Sequence, residues 1–168
     1  MNINKLLMLL ILFNIALFIQ PHYIINSECK FTKYVKIIEK YCDIENIETE
    51  RVIALVMTES SMREKVTKYE STVGEEAIGG GQLLLSTAKL YDENVTKKQL
   101  LNFDKNMQIT IKHLAMLNKK HSGDFEKITR EYNGGPRKKN NRGYYLKVKS
   151  YYDAIIVASD NRGLICLK

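Results

Sequence analysis

Apolar residues recur at helical spacing along most of the chain. Phe31, Tyr34, Val35 and Ile38 form a first stripe, and Val52, Leu55, Val56 and Glu59 share one face of a second helix for which Thr49 is a suitable N-cap. Residues 62–80 lose this pattern. They are polar and glycine-containing and read as a long loop, and loops of that length usually serve a function. A third helix is expected to start near Gln82. Asp104 can cap a longer one through Met107, Ile111, Leu114 and Leu117, and Asp124 another that runs to Tyr132, where Gly134, Gly135 and Pro136 break it. The last helix carries Tyr145, Val148, Tyr152 and Ile155. With no alternating strand, internal repeat or low-complexity linker, the pattern predicts an all-α domain.

The first twenty residues depart from this amphipathic pattern. A single cation, Lys5, precedes an apolar run from Leu6 to Ile19 that Pro21 ends. The run is shorter than the roughly 20 apolar residues of a membrane span and has the grammar of an export signal. We therefore expect residues 1–27 to be a signal peptide, with a retained anchor as the alternative, residues 28–158 to form the functional domain, and 159–168 to be a tail without a usable pattern. At 168 residues one core and one cleft are the default. The formal charge of +7 suits nucleic acid, an anionic membrane surface or an anionic wall polymer; export favours the wall over nucleic acid. Cys29, Cys42 and Cys166 match no zinc or redox spacing, so no metal or other cofactor is expected. A Cys29–Cys42 bridge and inert buried thiols both remain open.

Glu59 is the residue with chemical content. Three and four positions beyond Val56 and Leu55, its carboxyl projects from the apolar stripe, where desolvation raises a pKa and can keep the group protonated near neutral pH. That is what a general acid for glycosidic cleavage requires. The alternative is a structural carboxylate neutralised by a neighbour such as Arg63.

Four segments add to this: ALVMTESSM (54–62), EEAIGGGQLLLSTAK (75–89), EYNGGP (131–136) and NNRGYYLKV (140–148). In this order they resemble the catalytic domain of soluble lytic transglycosylases, relatives of goose-type lysozyme, whose patterns run E-S, then G-A-x-G-L-M-Q-L-M-P-x-T-A, then A-Y-N-A-G-P, then E-T-x-x-Y-V-x-K-V. The resemblance spans about residues 31–157. It implies a lysozyme-like helical fold with an interhelical active-site cleft and Glu59 as the catalytic acid and base. It also implies Ser60 as the neighbour in the E-S pair, Gln82 as a sugar contact, and Tyr132 as a hydroxyl close to the catalytic carboxyl. Ser71 becomes a second sugar contact if Glu75 and Glu76 are an insertion; Leu84 falls on a cleft methionine, and Asn133 would hold the loop after Tyr132. The chain departs from the pattern at Gly80 and Gly81 (Leu-Met), Leu84 (Met), Leu85 (Pro) and Asn140 (Glu). The two glycines loosen the start of a helix or let backbone approach the glycan.

The implied reaction cuts peptidoglycan strands with one carboxylate and leaves 1,6-anhydro-muramic ends. Two alternatives are a hydrolytic muramidase of the same fold, using Glu70, Glu75 or Glu76 to position water, and a non-catalytic glycan-binding part of a secretion or conjugation apparatus. A catalyst could itself serve such an apparatus as a partner in the cell envelope.

Overall fold

The computed structural model describes residues 31–135 and 141–160. The apolar leader, Cys29, Pro136, the basic run 137–139, Asn140 and the chain beyond 160 lie outside these residues. Helices α1 (Thr32–Glu45) and α2 (Thr49–Ser60) are followed by strands β1 (Thr67–Glu70), β2 (Glu75–Ile78) and β3 (Leu83–Leu84). Then come the short helices α3 (Leu85–Ala88) and α4 (Lys97–Leu100), and the longer α5 (Phe103–Lys120), α6 (Phe125–Gly134) and α7 (Arg142–Asp160).

The helical stripes pack as their periodicity requires. α2 lies along α7 and α1 along α5. Ile38, Val52, Leu55, Val56, Met107, Ile111, Leu117, Val148 and Ile155 meet in one fully buried core. Each such side chain contributes about 1.5–3 kcal/mol on leaving water. A second, smaller core of Ile78, Leu83, Ala88, Val95, Leu100 and Ile109 lies under the strands. α5 serves both, because Ile109 points away from the face that carries Met107 and Ile111.

Several helix starts differ from the sequence reading. The N-cap of α2 is Glu48, and Thr49 is the first helical residue, its hydroxyl bonded to the Cys42 thiol. α5 is capped by Asn102, which accepts from the Lys105 amide at 3.0 Å, while Asp104 accepts the Tyr41 hydroxyl at 2.8 Å. Asp124 caps α6 as expected, accepting from the Lys127 amide at 3.1 Å. No helix starts at Gln82. Its φ of 50° places it in the left-handed region at the end of a turn, closed by its amide on Gly79 O, and helix resumes only at Leu85. Cys42 is a free thiol, 1% exposed, whose pKa burial pushes up to about 12.

The expected 62–80 loop holds two strands, β1 and β2, which with β3 form a small antiparallel sheet of order β1-β2-β3. Thr67 faces Ile78, Glu70 faces Glu75, and Ala77 faces Leu84. The fold remains the expected helical one; the sheet forms a lip on one side of it.

Candidate active site

Glu59 lies in the last turn of α2, just before two successive left-handed residues, Ser61 (φ 52°) and Met62 (φ 57°), that turn the chain toward the strands. The C-terminal end of a helix carries partial negative charge and disfavours an ionised carboxylate. Burial disfavours it further. Desolvation is the largest influence on Glu59 and raises its pKa from an ordinary 4.5 to about 7, against the opposing pull of a hydrogen bond from Tyr144 and the nearby charge of Lys68 and Lys147. A carboxyl in this state is present in both protonation forms near neutral pH, so it can give a proton and later take one back.

The hydroxyl that reaches Glu59 is that of Tyr144, from the first turn of α7, which donates to Oε1. Tyr144 was not singled out from the sequence. Its signal was there: it stands on the tyrosine of the E-T-x-x-Y-V pattern and four residues before the buried Val148, hence on the inward face of α7. Tyr132, from α6, is near enough for the Glu59 charge to raise its pKa, but its hydroxyl donates to the Gly81 carbonyl at 2.6 Å. Tyr132 therefore fastens the Gly81 turn, and Tyr144 holds the acid. Arg63 does not neutralise Glu59; its Nε donates to the Ser60 carbonyl at 2.9 Å.

The remaining expected site residues divide by position. Ser60 is 2% exposed and its hydroxyl bonds back to Val56 O at 3.3 Å, so it closes the helix end and does not face a glycan. Gln82 spends its amide group on Gly79 O (2.8 Å) and Val66 O (3.3 Å), leaving its carbonyl oxygen as the atom free to meet a sugar hydroxyl. Leu84 is half-buried at the end of β3. Ser71 is exposed in the turn between β1 and β2, and Asn133 is exposed on α6, beside residues outside the described set. Of the three loop acids, Glu75 accepts from the Ser86 amide at 3.1 Å and Glu76 pairs with Lys97. Glu70 pairs with Lys68 at 2.7 Å, and both act on the charge of Glu59.

The glycines of the wall have an explanation the sequence did not give. A Cβ on Gly80 would lie 2.7 Å from the Phe103 ring, and one on Gly81 would lie 2.2 Å from Thr110 Oγ1. Neither residue loosens a helix or leaves room for a sugar. The glycines let the turn between β2 and β3 press against α5. There the fully buried Asn106 accepts from the Gly81 amide at 2.8 Å and donates to Ile78 O and Leu100 O, both at 2.9 Å. We expect Gly81→Ala to destabilise the protein by about 1–3 kcal/mol, as overpacking does, and Thr110→Ala in that background to restore part of the loss. Urea titration of both variants checks this. Equal stability of Gly81→Ala and wild type would show that the wall can move away at no cost.

The profile of the transglycosylase SLT domain matches residues 36–154. No curated protein matches the chain. Among solved structures, an inactive mutant of the lytic transglycosylase Slt from Pseudomonas aeruginosa is similar at a TM-score of 0.63 and 18% identity, over 82% of this chain and 25% of that one. The likeness supports the fold; this chain spans about a quarter of that protein's length.

Proposed function

Because the chain belongs to the family of transglycosylase SLT domains, we propose that it is a peptidoglycan lytic transglycosylase acting on the β-1,4 bond between N-acetylmuramic acid and N-acetylglucosamine, with Glu59 as its one acid and base. The observation that carries this reading is a carboxyl brought to about pKa 7 by burial at a helix end, with a phenol hydroxyl on it. Protonated Glu59 gives its proton to the bridging oxygen as the N-acetylglucosamine side departs. The acetamido carbonyl of the muramic sugar stabilises the developing cation. Ionised Glu59 then takes the proton of the C6 hydroxyl, whose oxygen closes on C1. The bond to the leaving sugar is replaced by an internal one, and no water is consumed. Tyr144 supports the ionised intermediate by donating to it.

The hydrolytic alternative rests on Glu70, the one of the three loop acids whose charge acts on Glu59. Its proximity favours a second reading, in which a second carboxylate positions water for attack on the same sugar. Mass spectrometry of sacculi digested by the purified domain separates the two, because anhydro and reducing ends differ by one water. We expect anhydro ends; reducing ends alone would overturn the transglycosylase reading in favour of the hydrolase. Export, an envelope location and service to a secretion or conjugation apparatus remain proposals on the apolar leader, which lies outside the described residues.

A further inference from the structure

His113, on α5, belongs to none of the four family-like segments, yet it stands behind the cleft wall. Its Nδ1 pairs with the Tyr91 hydroxyl at 2.9 Å, and the two rings meet edge-on at 5.7 Å. Its other neighbour is Tyr132, ring against ring at 5.5 Å and tilted by 48°. Tyr132 in turn donates to Gly81 O, next to Gln82. Three rings from three parts of the chain thus form one line. It runs from Tyr91, which packs on the small core, to the carbonyl beside the residue placed for sugar contact.

We propose that His113 is a positioning residue that sets Tyr132, and through it the Gly81–Gln82 wall, at the spacing a glycan strand needs; this rests on the glycan-cleaving reading above. The Gly81 carbonyl and the Thr110 side chain fix the tip of the Tyr132 phenol, and the His113 ring packs against its body. Leucine or phenylalanine at position 113 could supply the packing, but neither could accept or donate to Tyr91. An imidazole does both, so the small core and the α5–α6 pair hold the same ring. Burial keeps the imidazole neutral, against the pull of Glu131, so one ring nitrogen is an acceptor and the other a donor. The hydrogen bonds of this line end on the wall and none reaches Glu59, so its effect is expected on substrate placement more than on the proton transfer.

The test is a double-mutant cycle of His113→Phe and Tyr91→Phe in the whole chain, read by kinetics on purified sacculi and by melting temperature. Each single variant is expected to raise KM roughly three- to tenfold, as loss of one hydrogen bond ordinarily does, with kcat within about twofold. The double variant should be no worse than either single, because both remove one bond. Raised KM in both singles with non-additivity supports the proposal. Lowered melting temperatures with KM unchanged, or fully additive effects, overturn it. To separate this from the catalytic reading, the same substitutions are placed in Glu59→Gln and binding to sacculi is measured by sedimentation. If wild type releases no fragments but binding weakens in step, the catalytic reading fails and the positioning role stands. Unchanged binding removes the positioning role whatever the catalytic result.

Discussion

Glu59→Gln is expected to abolish release of soluble fragments from sacculi while making the folded protein more stable above neutral pH. The amide keeps the shape of the carboxyl and can still meet the Tyr144 hydroxyl, so the packing at the end of α2 is preserved. It carries no transferable proton. General acid catalysis contributes roughly 10²- to 10⁴-fold, and here the same group serves both steps, so the loss should be at least the lower figure. The stability effect has a definite sign. Below about pH 4.5 Glu59 is protonated in both folded and unfolded chains and costs nothing. As pH rises from there through about 7, the unfolded chain ionises the group readily and the folded protein does so only against burial. Wild type therefore loses stability across that window, by at most about 3 kcal/mol, and Glu59→Gln does not. Melting curves of both proteins from pH 5 to 8 should diverge. Parallel curves would show that Glu59 is not held protonated by the fold, and residual activity of a few per cent would remove it as the acid.

Tyr144→Phe should have the second largest effect, and its signature is a displaced pH profile. The Tyr144 hydroxyl donates to Glu59 and favours its ionised form, so removing it leaves burial less opposed and raises the carboxyl's pKa further. The acid form then persists to higher pH, and the alkaline limb of kcat/KM should move upward. The base form that must take the C6 proton becomes rarer and loses a stabilising partner, so the maximum rate should fall by about ten- to a thousandfold, as for loss of one positioned donor. The ring still fills its place against the main core, and the melting temperature should change little. A lower rate with an unmoved alkaline limb would mean that Tyr144 acts on substrate and not through Glu59.

How far the sequence could be read depends on where the determining neighbours lie. The long helices declared themselves because each carries its own evidence, an apolar face repeating every 3.6 residues, whereas the four-residue α3 and α4 are too short to show one. Glu59 was legible for the same reason, by its place on the stripe of Val52, Leu55 and Val56. The lip was not. β1 is Thr-Lys-Tyr-Glu with mostly exposed side chains, so it has no apolar alternation; it is held by its register with β2, and β2 and the turn after it by Asn106, 25–28 residues further along the chain. The glycines at 80 and 81 were noticed as departures, but their cause is the bulk of Phe103 and Thr110 on α5. The two tyrosines show a similar limit. Motif order placed Tyr132 near the acid and passed over Tyr144, and only the helix axes decide which hydroxyl arrives at Oε1 and which at Gly81.

The bond from the Gly81 amide to Asn106 has a consequence for how the cleft opens. Asn106 is fully buried, and its side chain ties the wall strand, the end of α4 and α5 into one set of bonds. Solvent deuterium can reach that amide only when the β2–β3 turn and α5 come apart, which uncovers the small core. Gly81 is therefore expected among the slowly exchanging amides of the described residues. The wall beside Gln82 is thus no flap on a soft hinge: it is bonded into the helix that both cores share.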